Sequence, residues 1–517
     1  MPRWGGDHEP GEAGRLARRS FLAASACVLA AFAFTTASHF TLGELGLDDA
    51  STFFVALRPA REVVAVALAF HAQPPLFYLA LHEWLRLGDS EPVLRTLPLI
   101  FMIAAGLTLL AAKWLPPVAR VVGAALLLLT PYSDYLTAAL RPYALSVWLS
   151  LWSCLMLARL LTGARRGAAA YIAYTAVTVL LSYTVAMASW LLLAHGLCAV
   201  GAVAVAAARR GARRAVVDCA ALFVSLTVVA VAYLPYAINV WALQGQLGHP
   251  SLRATIAAAT NPRFFISGPA YLLALPAGLG YAALAFVAAA AWLGALRRDP
   301  LIAVLFTVVI VQIAMTHGFL EGRSGFGFRY LAPVYPALCL LAGLGADAIV
   351  SRVRTVDLLV PAGAAIVLAT SVAVFARAPH GAPAGVWRQV RDDLRRFDGQ
   401  RFVLFDTGYE AQPLQYEVFH DPGIRIMSDP GSGWATGGRQ MTPAYVAGVV
   451  DRDAGPGTMF FYQFDPVAGA DVFAGAFAPA MARHGCARVY QREVPTSART
   501  VAGDGGALLY GYVCHGV

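Results

Sequence analysis

Charge is scarce in this chain: only 13% of its 517 residues are Asp, Glu, Lys or Arg, against roughly 25% in an ordinary soluble protein. The deficit lies in the first three quarters, where apolar runs follow one another from Phe21 to about Phe375. A run of 18 or more apolar residues spans a hydrocarbon core of about 30 Å as a helix, so a single soluble domain is excluded. No CxxC pair and no Cys/His spacing of the kind that holds zinc is present. Cys27, Cys154, Cys198, Cys219 and Cys339 lie in apolar runs and read as packing residues, whereas Cys486 and Cys514 near the C-terminus are open to either a disulfide or two free thiols. A basic stripe interleaved with aromatics is also missing, so the net charge of +9 does not imply a nucleic-acid partner.

What charge there is sits between the apolar runs. Basic clusters at Arg15/Arg18/Arg19, Lys113/Arg120, Arg165/Arg166, Arg209/Arg210/Arg213/Arg214, Arg297/Arg298 and Arg352/Arg354 mark the cytoplasmic side. The run 21–42 is too long for a signal-peptide core and reads as an uncleaved first helix. Segments 61–70 and 75–87 are short and interrupted, so 44–91 reads as an external loop carrying two interfacial helices. The remaining spans fall at 93–112, 118–131, 138–162, 168–184, 186–208, 215–236, 270–296, 300–317, 328–350 and 356–376, for about 11 in all. After a Pro/Gly/Ala linker at 378–385, an amphipathic helix (387–397) and strand-like runs (402–405, 458–462, 507–513) predict a small C-terminal α/β domain on the external side.

Ionisable residues beside a membrane are costly unless used or solvated. Asp48 and Asp49 follow the first helix in "LGLDDASTFF". Adjacent carboxylates raise one another's pKa, which suits a general base; a solvated helix cap at Asp49 is the plainer reading. Arg58 and Arg61 follow, then His71 and Gln73 before Pro74–Pro75. The segment 131–145 offers Asp134, Arg141 and Tyr143, and the Gly-rich segment 316–338 offers His317, Arg323, Arg329 and Tyr330. All fall on one predicted face, as an anionic lipid phosphate and a nucleophilic acceptor would require.

The ordered set of an acid pair after helix 1, "PPLFY", "GDSE..LR.LP", "RPYAL" and "RYLAPVYPAL" resembles polyprenyl-phosphate-sugar-dependent glycosyltransferases of the GT-C fold. The branch includes protein O-mannosyltransferases, the aminoarabinose transferases of lipid A and bacterial homologues acting on lipopolysaccharide. The resemblance covers about residues 20–350. The charge and hydropathy pattern makes residues 1–19 cytoplasmic, 20–377 a transmembrane catalytic domain and 378–517 an exported α/β domain, and the Ala- and Arg-rich usage points to a bacterial inner membrane. The family's Asp-Glu-Ala stands here as Asp48-Asp49-Ala50, so both aspartates are candidates for the catalytic base. Gln73 stands where the family often has His or Lys, and Ala138, Ala139 and Leu140 replace a frequent Gln-Glu-Ala, which leaves Asp134 as the substitute acid.

The reaction so implied moves a sugar, with inversion, from a polyprenyl-phosphate donor to a hydroxyl of a glycan, lipid or protein acceptor. Arg58, Arg61, Arg323 and Arg329 are the candidates for the donor phosphate; His71, Gln73, Asp134, Arg141, Tyr143, His317 and Tyr330 line the substrate pocket. A divalent metal is compatible with this scheme and not required by it. A transporter or flippase is the first rival, but the midplane is nearly free of charge and no repeat is evident. A membrane scaffold is the second, and it leaves the acid and arginine clusters without a use.

Overall fold

The computed structural model describes residues 12–39, 44–70, 73–163, 167–210, 212–246, 257, 259–273, 285, 287–290, 292, 299–320, 328–351, 385–405, 411–427, 442–464, 473–494 and 507–515. The chain forms two compact units, one of Met1–Thr41 with Ala72–Pro379, the other of Leu42–His71 with His380–Val517.

The first unit is helical. It comprises α1 (Glu12–His39), α4 (Leu76–Trp84), α5 (Glu91–Ala111), α6 (Pro117–Leu129), α7 (Pro131–Ala138), α8 (Tyr143–Thr162), α9 (Ala168–Ser182), α10 (Trp190–Arg210), α11 (Ala212–Gln246), α12 (Pro262–Leu272), α13 (Pro300–Leu320) and α14 (Tyr335–Val350), while α2 (Leu47–Ala56) and α3 (Ala60–Phe70) belong to the second unit. Among the described residues, seven helices are long and apolar enough to cross a membrane, or eight if the bent pair α6–α7 is one span. The expected span at 118–131 is this bent pair, α6 alone having 13 residues and so reaching only about 20 Å. The expected span at 168–184 is a 15-residue helix, and those at 270–296 and 356–376 fall largely outside the described residues. With no hydrophobic force between helices in lipid, close packing needs small side chains. At Gly343 of α14 even a Cβ would run into the Ala119 carbonyl of α6.

The second unit carries a five-stranded sheet in the order β2 (Ile424–Met427), β1 (Arg401–Phe405), β3 (Met459–Phe464), β5 (Ala507–Cys514), β4 (Cys486–Val494). The pairs β2–β1 and β1–β3 are parallel, and β3–β5 and β5–β4 antiparallel. Side chains of a strand alternate between faces. Val403 and Phe405 enter one core with α15 (Val386–Arg395) and α16 (Gln412–Glu417); Phe402 and Leu404 enter the other with α17 (Pro443–Asp453) and α18 (Ala478–Arg483). Burial on both sides explains why β1 reads as an unbroken apolar run. The expected α/β domain is therefore present.

The segment carrying the acid pair is built into this unit by two contacts. Gly385 at the N-terminus of α15 has no side chain to cap the helix, and the Glu44 carboxylate accepts from the backbone N–H of Trp387 (3.1 Å) and Arg388 (2.6 Å) instead. Phe53 of α2 packs edge-on against Tyr416 and Phe419, with ring centroids 5.0 and 5.7 Å apart. A carboxylate at a helix N-terminus satisfies orphan donors and meets the positive end of the dipole. Glu44→Ala is expected to destabilise this end of α15 by about 1–2 kcal/mol, read as faster hydrogen exchange at the Trp387 and Arg388 amides; unchanged exchange contradicts the cap.

Cys486 and Cys514 are disulfide-bonded across the paired ends of β4 and β5. Closing a loop of 28 residues restricts the unfolded chain, so changing both cysteines to serine is expected to cost about 3 kcal/mol. The measurement is the denaturant midpoint of the full chain with and without the bridge, and coincident midpoints contradict the expectation.

Candidate active site

In the first unit the site begins with a proline. Pro131 has no N–H, so the Leu127 carbonyl one turn back loses its helical donor, and α6 and α7 meet at 59°. An unpaired carbonyl within lipid is costly. The Tyr335 hydroxyl at the start of α14 meets that need, lying 2.6 Å from the Leu126 oxygen and 3.2 Å from the Leu127 oxygen. Thr130 Oγ1 stands 2.5 Å from the same hydroxyl and accepts from Ser133 N–H (3.3 Å), capping α7. The bend is thereby locked to a segment two hundred residues later.

From α7 a tyrosine ladder leads to the next arginine. Tyr135 stacks on Tyr132 and on Tyr143, at 6.1 and 6.4 Å between centroids. Tyr132 also meets Tyr335 (5.1 Å) and Tyr271 of α12 (6.3 Å). Between α7 and α8 the chain turns at Arg141, whose N–H donates to the Ala139 carbonyl (2.8 Å). Both Arg141 (8% exposed) and Tyr143 (1%) are buried.

The 3₁₀ segment Phe328–Val334 closes the cluster. The Tyr132 hydroxyl donates to the Arg329 carbonyl (3.5 Å), and the Arg329 guanidinium lies over the Tyr330 ring, 5.2 Å from its centroid. Arg141, Arg329, Tyr135 and Tyr330 all act electrostatically on the buried Tyr143 hydroxyl. Two arginines from separate parts of the chain thus lie near one buried tyrosine cluster. Paired guanidinium groups can neutralise an anion and donate to two of its oxygens.

A buried ion pair braces the far side of α7. Arg95 donates to Glu91, with Nη2 to Oε1 at 2.6 Å, and its Nη1 donates to the Ala138 carbonyl at 3.2 Å. This anchors the chain three residues before Arg141. Glu91 was not among the expected site residues; its signal was the four-residue spacing to Arg95. Tyr132, Tyr135 and Tyr335 were also not expected; Tyr132 and Tyr335 were marked only by an adjoining proline, and Tyr135 by nothing local.

The other expected residues lie elsewhere. Asp134 is half-buried on α7. His317 stacks on Phe264 at 3.7 Å and is buried. Gln73 precedes α4, whose Leu76 N–H donates to the Tyr183 carbonyl (3.1 Å), and its Oε1 is buried without a hydrogen-bond partner among the described residues. His71 and Arg323 lie outside the described residues.

In the second unit Asp48 and Asp49 occupy the first turn of α2, both half-buried. The helix dipole favours negative charge there, and the Asp48 carbonyl accepts from Thr52 Oγ1 (2.8 Å). The paired carboxylates sit on a helix anchored by Phe53 and Phe54, not on a free loop. Arg58 lies 4.0 Å from Glu62 one turn on, and Arg61 is exposed. Among the described residues no three His, Cys, Asp or Glu gather as a metal site.

No protein-family model and no curated protein sequence matches the chain. Solved structures do. The crystal structure of ArnT from Cupriavidus metallidurans in the apo state is similar at a TM-score of 0.57 and 13% identity, over 96% of this chain and 98% of that one. The same protein bound to undecaprenyl phosphate is similar at a TM-score of 0.54 and 14% identity, over 97% and 98%. The chain is therefore a multi-pass membrane protein with an ArnT-like, GT-C-type fold along nearly its whole length.

Proposed function

We propose that this protein is a membrane glycosyltransferase that moves a sugar from a polyprenyl-phosphate donor to an acceptor hydroxyl. The observation that carries the reading is that Arg141 and Arg329 lie beside one tyrosine cluster, Tyr132, Tyr135 and Tyr143, in a fold shared with a protein solved with undecaprenyl phosphate bound. A lipid phosphate leaving a sugar gains charge on its bridging oxygen, and preorganised cations stabilise that charge most where water is excluded. Arg141 and Arg329 take this role, with Tyr143 and Tyr330 as neighbouring hydroxyl donors.

The aspartates supply the other half of the reaction. Asp48 or Asp49 takes the proton of the acceptor hydroxyl as its oxygen attacks C1 of the sugar. The C1–O bond to phosphate breaks, its electron pair leaves with the polyprenyl phosphate, and C1 inverts. A divalent metal is compatible with this step and not required by it. The Cys486–Cys514 disulfide supports an oxidising, extracytoplasmic setting for the C-terminal unit in the bacterial inner membrane, as does the positive-inside charge pattern. The sugar is a hexose or pentose, and glycan, lipid and protein acceptors all present the hydroxyl that the step needs.

Incubating the reconstituted protein with a polyprenyl-phosphate sugar labelled in the sugar tests the proposal. Transfer of label to a water-soluble or envelope acceptor, with release of polyprenyl phosphate, is expected. Movement of intact donor between leaflets without bond cleavage favours a flippase and overturns the reading.

A further inference from the structure

The opposite end of the membrane unit holds a cavity of about 830 Å³ among α5, α8, α9 and the turn after α5. Helix α5 starts at Glu91 beside the candidate site and runs 21 residues to Ala111, about 30 Å away along its axis. Helix α8 likewise starts at Tyr143 and brings Arg159 to the far end in its last turn. The cavity and the candidate site are thus one membrane-spanning helix length apart, which puts them at opposite leaflets.

The cavity has the parts of a phospholipid site. Lys113 and Arg159 put two cations at its rim, with Lys113 exposed. Trp114 lies under the Arg159 guanidinium, 5.8 Å from ring centroid to Cζ. Trp152 is fixed by donating from Nε1 to Thr108 Oγ1 (2.8 Å) and is still 38% exposed. Amphipathic rings and snorkelling cations of this kind sit at headgroup level. Below them the wall is apolar and small, with Ala169, Ala170 and Ala173 of α9 facing Leu155 and Met156 of α8. A cleft lined by alanine admits an acyl chain where larger side chains would fill it.

The geometry points to a binding site for an anionic diacyl phospholipid of that leaflet, its phosphodiester between Lys113 and Arg159 and one acyl chain against the alanine face of α9. Basic pockets between membrane helices on the cytoplasmic side recognise such headgroups. The site is independent of the sugar-transfer reading.

Native mass spectrometry of the full chain in detergent tests it, titrating dioleoyl phosphatidylglycerol against dioleoyl phosphatidylcholine. The first bound lipid is expected to show a preference of roughly ten-fold for phosphatidylglycerol. The preference should vanish in the Lys113→Gln/Arg159→Gln double variant and survive in Arg209→Gln, which removes an exposed arginine at the same end of α10. Ala173→Phe keeps every charge and blocks the chain cleft, so it should weaken both lipids. Equal binding of the two lipids, retention of the preference in the double variant, or full binding in Ala173→Phe overturns the proposal. Displacement by millimolar inorganic phosphate as effective as by lipid overturns it as well, in favour of a free-anion site.

Discussion

Replacing Arg329 with alanine is expected to lower sugar transfer about a hundred-fold or more, and Arg141→Ala by a similar factor. Removing one preorganised donor from a developing oxyanion costs 10²–10³ in rate in well-studied sites, and a guanidinium brings full charge as well. Arg141 is only 8% exposed, so water cannot take its place. The loss should fall mainly on kcat, because charge on the phosphate oxygen grows as the C1–O bond breaks. Arg329→Lys distinguishes charge from shape: lysine keeps the cation and loses the planar fork, so a partial recovery is expected. The assay is initial rate against donor concentration. Rates within two-fold of the parent in both alanine variants remove the arginines from the reaction.

The second large effect is at the acid pair. Asp48→Asn and Asp49→Asn are expected to differ sharply, one falling by 10²–10⁴ as a lost general base does, the other by less than ten-fold. Asparagine suits this test because it keeps the shape and the turn-favouring chemistry of aspartate at a helix start. The charge lost from the first turn of α2 costs only about 0.3–1 kcal/mol, and the buried Phe53 and Phe54 hold the helix in place. A large fall is therefore chemistry and not unfolding, and near-native exchange at the Trp387 and Arg388 amides checks this. Full activity in both variants removes the general-base role.

The long apolar helices were legible because burial in lipid needs only length and composition. The expected spans 186–208 and 300–317 reappear as Ala186–Arg209 and Pro300–Gly318. The break at Thr130 was half legible: Pro131 announced an end to α6, but nothing local announces that Tyr335 would satisfy the stranded carbonyls. The same limit hid the Glu44 cap on α15, a contact across 343 residues to Trp387. In the sheet, β1 and β3 were legible as apolar runs. Strand β4 was not, because it is an edge strand with Arg488, Arg492 and Glu493 along it, the charge that edge strands use against pairing with other chains. Of the expected site residues, Arg141, Tyr143, Arg329 and Tyr330 come together in space. Their shared feature in the sequence is an Arg beside a Tyr just before an apolar helix. Asp134, Gln73 and His317 lack that context and lie on separate contacts.

The most direct measurement is an experimental structure of the chain with undecaprenyl phosphate. The account places the phosphate within hydrogen-bond distance of Arg141 and Arg329, with the isoprenoid tail leaving toward the lipid. Phosphate density elsewhere, out of reach of both guanidinium groups, contradicts it.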